Sequence, residues 1–247
     1  MNCEYFALLR HMEADNNAAE RNHARGQADA YDAVISKPSS LHDLTPAGVE
    51  QAIATGEWLK EHGLSFTRHI TSAYLRAMRT SRLLDILGAR WEVEDRICEK
   101  DSGILNSMKP DEAAALLDES KQQRHSRDNY RYRVERGESF LDLDTRARPF
   151  FESLTDRSLV VCHGHVIRVV DRIIMGGKCS WDFGSYKDTR GDLSNGVLIE
   201  YKRSTSGWDR RLTVPCKDPH FGSWEEIDRP LYSNTALGAL IEKVRTL

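Results

Sequence analysis

The sequence predicts an α/β fold, a three-layer α/β/α sandwich with a mostly parallel central sheet. The candidate strands are short continuous apolar runs, such as SLVVC at 158–162, rather than alternations of apolar and polar residues. Runs of this kind are typical of strands that are buried on both faces. They alternate along the chain with segments of helical periodicity, and this order favours parallel pairing through crossover helices.

The first predicted strand is EYFALLR at 4–10, a compact apolar run bounded by polar residues. The same criterion predicts further strands at 67–71, 91–98, 158–162 and 196–203.

The clearest helix follows Thr45. Thr45 is a suitable N-cap, Pro46 is favoured at the first helical position, and Gly63 marks the end. Further helices are predicted over 73–87, 109–120 and 139–154, and from 166 to the glycine pair at 176–177.

Two segments depart from this pattern within a predicted single domain over 1–247. Residues 18–43 lack periodicity and contain Gly26 and Pro38, so we expect a lid-like insertion there. A C-terminal extension at 213–247 ends in an apolar stripe that docks on its own domain or forms a homodimer contact. The stripe consists of Leu237, Leu240, Ile241, Val244 and Leu247.

The composition indicates where the protein is located and which classes of partner it does not bind. Hydrophobic residues make up 40% of the chain and charged residues 30%, and no run of about 18 apolar residues occurs. The five cysteines are scattered without C-x-x-C spacing, and the net charge is −3. We therefore expect a cytoplasmic protein with reduced cysteines and with neither nucleic acid nor membrane as partner. A basic cluster at 121–136 is the local exception.

Four side chains follow predicted strands or begin the helices after them. His11 follows the first strand, Arg76 lies early in the helix after 67–71, Glu99 follows 91–98, and His163 follows 158–162. Ligands of open α/β sheets bind beyond the carboxyl ends of the strands, so we expect these side chains at one edge.

The segment LLRHMEADNN at 8–17 resembles the R-H-G-E-x-x-x-N signature of the histidine phosphatase superfamily, in its phosphoglycerate-mutase-like branch. Further segments resemble that family in the same order, over roughly residues 4 to 200. They are LTPAGVEQA, TSAYLRAMRT, ICEKDSG, ERGES and VVCHGHVIR. The resemblance implies a phosphoglycerate-mutase-like sandwich.

The resemblance also implies the catalytic roles. His11 matches the nucleophile that becomes phosphohistidine, which requires a neutral imidazole. Arg10 and Arg76 match the phosphate clamps, whose planar guanidinium groups suit phosphoryl oxygens. Glu99 matches the general acid and base, whose pKa an anionic substrate would raise.

Further residues complete the implied pocket. Asn17 matches a hydrogen-bonding residue, and His163, with the backbone of Gly164, matches the group that stabilises the transferring charge. Met12 replaces the usual glycine of the signature and either narrows the pocket or points into the core. Possible substrate contacts are Arg21, Arg131, Arg133 and His165.

We therefore expect a phosphatase that hydrolyses phosphate monoesters on a small substrate or a phosphoprotein, without metal or cofactor. The H-G-H run at 163–165 does not suggest a metal site, because no convincing third ligand accompanies it. A phosphoglycerate-mutase-type phosphotransferase stays open because of the insertion at 18–43. A non-catalytic phospho-ligand-binding protein is the alternative from another class.

Overall fold

Seven strands form one mixed sheet in the computed structural model, which describes residues 3–122, 130–174, 193–205, 207–217 and 220–227. Their order across the sheet is β3-β2-β4-β1-β5-β6-β7. The strands are β1 Tyr5–Arg10, β2 Arg68–Ser72, β3 Trp91–Glu94, β4 Ser158–Cys162, β5 Leu198–Arg203, β6 Trp208–Thr213 and β7 Trp224–Ile227.

The sheet has a parallel half and an antiparallel half. β3, β2, β4 and β1 pair in parallel, whereas β1 with β5, β5 with β6 and β6 with β7 pair antiparallel. The predicted α/β class is confirmed, but a mostly parallel sheet describes only the first half. A short turn joins β5 to β6, and only antiparallel neighbours can be connected in this way.

Helices cover both faces of the sheet. They are α1 Asp15–His23, α2 Asp32–Ile35, α3 Pro46–Glu61, α4 Leu75–Leu83, α5 Pro110–Gln122, α6 Phe140–Glu152 and α7 Gly164–Ile174. On β1, Phe6 and Leu8 join a core cluster with side chains of α6 and α7, whereas Ala7 and Leu9 join one with side chains of α3 and α4. The central strands are therefore apolar on both faces, as their sequences predict.

The start of α3 is fixed against the loop after β1. The Thr45 hydroxyl accepts a hydrogen bond from Gly48 N at 3.0 Å, as expected of an N-cap, and Thr45 N donates to Glu13 O at 3.1 Å. A Cβ at Gly48 would lie 2.0 Å from Glu13 O. Only glycine allows this close approach.

Several predicted boundaries are wrong by a few residues. The helix predicted over 73–87 is α4, Leu75–Leu83. The strand predicted over 91–98 ends at Glu94, because the Glu94 carboxylate accepts from Arg96 N at 2.9 Å and begins a 3₁₀ turn.

The insertion at 18–43 contains more regular structure than its sequence predicts. It includes most of α1, a 3₁₀ turn at Ala28–Tyr31, α2 and a second 3₁₀ turn at Ser39–Leu41. Because α1 buries only Ala19, it has no apolar face that would signal a helix.

Strands β6 and β7 were not predicted. In β6, Arg210 is buried and pairs with Asp171 of α7 at 2.8 Å, so a residue that suggests a surface segment lies inside the fold. Most of the C-terminal extension, including its apolar stripe, lies outside the described residues, as do the glycine pair at 176–177 and Arg124 and Arg127 of the basic cluster. Within the described ranges, no helix has the length and hydropathy needed to cross a membrane.

Candidate active site

The carboxyl ends of the parallel strands meet at a cavity of about 620 Å³. His11 follows β1, Arg76 is the second residue of α4, the helix after β2, and Gly164 begins α7 two residues after the end of β4. Glu99 follows the 3₁₀ turn after β3 and lies on the same cavity lining. The parallel register therefore brings together side chains that are far apart in sequence.

His11 is only 2% exposed, and its ring is oriented by two contacts. Nδ1 lies 2.8 Å from the Met12 carbonyl oxygen, and Nε2 accepts a hydrogen bond from Arg76 Nε at 3.1 Å. These partners assign the proton to Nδ1, because a carbonyl oxygen can only accept. Burial, and then the positive charge of Arg76 and the proximity of His163 and Arg10, lower the pKa of His11 well below its usual value. His11 is therefore a neutral imidazole with its lone pair on Nε2.

Arg10 and Arg76 both line the cavity. Arg76 is 2% exposed and donates through a terminal nitrogen to Ser39 O at 2.6 Å, in addition to its bond to His11. Arg10 donates to the carbonyl oxygen of Leu193. The acceptors of Arg76 are neutral groups, so its guanidinium charge remains available to an anion.

Asn17 lines the cavity with its amide orientation fixed. Its Oδ1 accepts from Ala14 N and from Asn195 Nδ2, each at 3.1 Å. Asn195 Nδ2 also lies 3.1 Å from His11 O, and thus connects the two residues of the signature. Both contacts occupy the carbonyl oxygen of Asn17, which leaves the amide NH₂ as its donor toward a ligand.

His163 lies behind His11, with ring centroids 5.1 Å apart and with no exposed surface. Its Nε2 hydrogen-bonds with Ser72 Oγ at 2.8 Å, and within the described part of the chain its buried Nδ1 has no hydrogen-bond partner. Burial, followed by the charge of Arg76, lowers the pKa of His163 well below its usual value. His163 does not belong to the described cavity lining, whereas Gly164 does.

Glu99 supplies a carboxylate to the same lining. Its Oε1 accepts from Lys100 N at 2.9 Å and lies 3.2 Å from His165 Nδ1. Burial alone would raise the pKa of Glu99, but His165, His163 and the Lys100 amide outweigh it, and the pKa lies well below its usual value. The carboxyl is therefore ionised without substrate, and the raised pKa that an acid requires has to come from a bound anion.

Gly164 and His165 form the first turn of α7 at the cavity. A Cβ at Gly164 would lie 3.8 Å from the Arg10 guanidinium, an ordinary contact, so the position does not require glycine for space. His165 contacts Glu99 and packs edge-on against Phe140, with ring centroids 5.2 Å apart.

Three predicted substrate contacts do not line the cavity. Arg21 pairs with the Glu13 carboxylate, and its side chain is 44% exposed. Arg133 donates to Asp142 at 3.0 Å, and Arg131 is exposed. All three lie outside the segments that match the family signatures. Their positive charge suggested a substrate contact, but nothing in the sequence indicated where they lie relative to the cavity.

Met12 points into the core. It is fully buried in the cluster that contains Leu9 and Ala52, and a Cβ at Gly196 would lie 2.8 Å from its sulfur. Met12 is absent from the cavity lining, so of the two alternatives the structure supports the one in which the pocket is not narrowed.

Sequence reasoning missed Asn195 and several residues of the lining. Asn195 precedes β5, and its position beside His11 follows from the pairing of β5 with β1. No local sequence pattern predicts that pairing. Arg168 belongs to the quoted segment VVCHGHVIR but was given no role, and it lines the cavity with Glu20, Tyr31 and Lys100. Within the described ranges, no group of three or more His, Cys, Asp and Glu residues could hold a metal ion.

Comparisons with known proteins agree with this geometry. A family model described as histidine phosphatase superfamily (branch 1) matches residues 6–183. The chain is 33% identical over 143 residues to the 2,3-bisphosphoglycerate-dependent phosphoglycerate mutase of Azorhizobium caulinodans, a match that covers 53% of this chain and 69% of that protein. It is 30% identical over 127 residues to the human 6-phosphofructo-2-kinase/fructose-2,6-bisphosphatase 1, covering 51% of this chain and 26% of that protein.

Solved structures show the same fold at low sequence identity. A mycobacterial glucosyl-3-phosphoglycerate phosphatase in complex with VO3 aligns with a TM-score of 0.62 and 19% identity, over 86% of this chain and 98% of that one. The α-ribazole phosphatase of Shigella flexneri aligns with a TM-score of 0.62 and 16% identity, over 90% and 100% of the two chains. Because the family model covers most of the sequence and its signature residues meet at one cavity, the chain belongs to the histidine phosphatase superfamily.

Proposed function

We propose that this protein is a phosphomonoesterase that forms a phosphohistidine intermediate on His11. The observation that carries the proposal is the neutral Nε2 of His11, held by Arg76 beside a cavity that Arg10 and Glu99 also line. Hydrolysis of phosphate monoesters needs a nucleophile, positive charge around the phosphoryl oxygens and a proton for the leaving oxygen. These side chains supply one of each.

In the first step, Arg76 Nε–H turns from His11 Nε2 to a phosphoryl oxygen, the freed lone pair of Nε2 attacks phosphorus, and the bond from phosphorus to the ester oxygen breaks. The electron pair of that bond stays on the leaving oxygen, which takes a proton from Glu99. Glu99 is ionised in the empty site, and the negative charge of the bound phosphate raises its pKa so that it carries this proton. His165, with Nδ1 at 3.2 Å from the carboxylate, is the positioning residue for Glu99.

In the second step, water attacks the phosphohistidine. Glu99 accepts a proton from that water, the bond between phosphorus and nitrogen breaks, and its electron pair returns to His11. Arg10, Arg76, the amide of Asn17 and the backbone of Gly164 bind the phosphoryl oxygens throughout, and His163 supports the developing charge from behind His11.

The test is phosphate release from p-nitrophenyl phosphate by the wild-type protein, His11→Ala and the control His62→Ala, at a residue that follows the C-terminal end of α3 and does not line the cavity. Release by the wild type and His62→Ala but not by His11→Ala is expected, with acid-labile phosphate trapped on His11 after rapid quenching. Release that persists in His11→Ala would contradict the proposal.

A phosphoglycerate-mutase-type transfer is the second candidate, because phosphoglycerate mutases are among the relatives. A mutase returns the phosphoryl group to product instead of water. Incubation with 3-phosphoglycerate and a trace of 2,3-bisphosphoglycerate separates the two. Formation of 2-phosphoglycerate faster than inorganic phosphate would favour the mutase. Stable binding of phosphate esters without turnover or acid-labile phosphate would instead indicate a phospho-ligand-binding protein.

A further inference from the structure

The cavity is much larger than a phosphate group, and part of its lining is apolar. Its volume of about 620 Å³ lies within the roughly 300–1,000 Å³ typical of pockets for small organic ligands. The proposed catalytic side chains account for one part of the lining. Apart from Leu193, which belongs to the core, the remaining apolar side chains form what we call the apolar wall: Tyr31, Val34, Ile35, Leu105, Met108, Pro110, Ala113, Ala114 and Leu117.

The apolar wall is built from two segments. Tyr31, Val34 and Ile35 come from the insertion before α3, and the others come from the stretch between Glu99 and the end of α5. Two contacts connect these segments: Lys109 Nζ lies 2.8 Å from Asp32 Oδ1, and His23 Nε2 lies 3.1 Å from Asp111 Oδ1. The wall therefore lies on two adjoining segments that both border the proposed active site.

Core packing does not explain these apolar side chains. None of the wall residues belongs to either of the core clusters found among the described residues. On α5, Pro110, Ala113 and Leu117 recur with helical spacing on one face, and that face lines the cavity. Apolar side chains that line a cavity rather than the core are typical of small-molecule sites.

Beyond the proposed phosphate clamps, the cavity lining carries the cationic side chain of Arg168. Three arginines that the sequence offered as substrate contacts, Arg21, Arg131 and Arg133, do not line the cavity. Glu20 adds a carboxyl group to the lining. Lys100 also lines the cavity, and its ammonium donates to Glu138 O at 2.9 Å.

We propose that the substrate is a monophosphate ester of an apolar alcohol, an alkyl or aryl group that lies against the apolar wall while the phosphate lies at His11. This inference rests on the proposed function, because it names the substrate class of the same site. It predicts that recognition grows with the apolar area of the leaving group and not with further charge.

The test uses ethyl, butyl and hexyl phosphate. Their leaving alcohols have similar acidity, so chain length changes the burial of apolar surface and not the chemistry. We expect kcat/KM to rise by about threefold for each added methylene. Glycerol 3-phosphate and 2,3-bisphosphoglycerate should react less efficiently than hexyl phosphate.

Two neighbouring alanines of α5 provide a matched pair of variants. Ala114 lines the cavity and Ala115 does not, although both are exposed on the same helix. Ala114→Glu should place a carboxylate on the apolar wall and reduce the gain per methylene to nearly none. Ala115→Glu, which makes the same change to helix and charge, should keep the wild-type dependence on chain length.

A binding measurement separates this inference from the proposed function. Alkylphosphonates of the same chain lengths bind without turnover, and calorimetry should show their affinity rising with length. Phosphate release with no dependence on chain length would overturn the apolar substrate and leave the phosphomonoesterase intact. Affinity that rises with length without any phosphate release would support the apolar ligand and overturn the phosphomonoesterase. A bisphosphate that reacts faster than hexyl phosphate would also overturn the inference.

Discussion

Two buried arginines lie in the two halves of the sheet and have opposite surroundings. Arg76, after β2 in the parallel half, is 2% exposed and donates to neutral acceptors, His11 Nε2 and Ser39 O. Arg210, on β6 in the antiparallel half, is 4% exposed and donates to the Asp171 carboxylate at 2.8 Å, which also accepts from Tyr201. Arg210 is bonded directly to a carboxylate within the fold, whereas the groups that Arg76 bonds are neutral acceptors, and the carboxylate of Glu99 acts on Arg76 only through the cavity. Burying a guanidinium that is not bonded directly to a carboxylate is costly, so Arg76 marks the functional half.

The largest effect that tests this comparison is the loss of activity in Arg76→Ala. The side chain is proposed to hold phosphoryl oxygens and to keep His11 neutral, so kcat/KM should fall roughly 10³-fold. Stability should change less than it does when Arg210 is removed, because the acceptors left behind carry no charge. Phosphate release and urea unfolding measure the two effects.

Arg79→Ala is the matched control for this variant. Arg79 lies on the same helix, is 43% exposed and pairs with Asp43 at 2.6 Å. Its removal should leave kcat/KM nearly unchanged, since exposed ion pairs contribute little. If Arg76→Ala unfolded the protein while retaining activity per folded molecule, the contrast between the two buried arginines would be lost.

The next effect is on stability, in Arg210→Met. Methionine fills similar volume but leaves Asp171 buried without its cation, which should lower the free energy of unfolding by about 3 kcal/mol. Activity per folded molecule should persist, because Asp171 lies about two turns along α7 from Gly164.

The double variant Arg210→Met/Asp171→Asn tests the cause of this loss. It removes both charges and should recover part of the stability that Arg210→Met loses, because no unpaired charge is then buried. A double variant less stable than the single one by the full cost of a second truncation would show that packing, not charge, is what Arg210 supplies.

The same two arginines show which parts of the site could be predicted from the sequence. The position of Arg76 could be predicted because parallel strands end at one edge of the sheet. The ends of the strands can be recognised in the sequence where short apolar runs stop. His11, Glu99 and Gly164 reach the cavity for the same reason, with His163 buried directly behind His11. The sequence therefore predicted that these side chains lie together at one edge of the sheet, and their catalytic roles stay a prediction.

What sequence reasoning missed depends on non-local pairing. No local pattern indicated that Arg210 lies in a buried strand, because only its partner on α7 allows it to be buried there. Asn195 reaches His11 only through the pairing of β5 with β1. For Arg21, Arg131 and Arg133 the sequence showed a suitable charge but did not indicate their position in the fold. Charge can be read from sequence, but which charges are compensated can only be read from the fold.

The smallest effect is the dependence of stability on pH. Burial, and then the charge of Arg76, lower the pKa of both His11 and His163 well below their usual values. In the unfolded chain these imidazoles titrate near pH ~6.5. Below that pH the unfolded state binds more protons than the folded state, so stability is complete above it and falls as the pH decreases. The loss approaches about 1.4 kcal/mol per pH unit for each histidine.

This dependence of stability on pH should come mainly from the two site histidines at the parallel half of the sheet. Urea unfolding at pH 7.5, 6.5 and 5.5 should show a shallower decline in the variant His11→Gln/His163→Gln than in the wild type. Burial also lowers the pKa of His42 and His69, so a residual slope is expected. An unchanged slope in the double variant would mean that the buried site histidines are not held neutral.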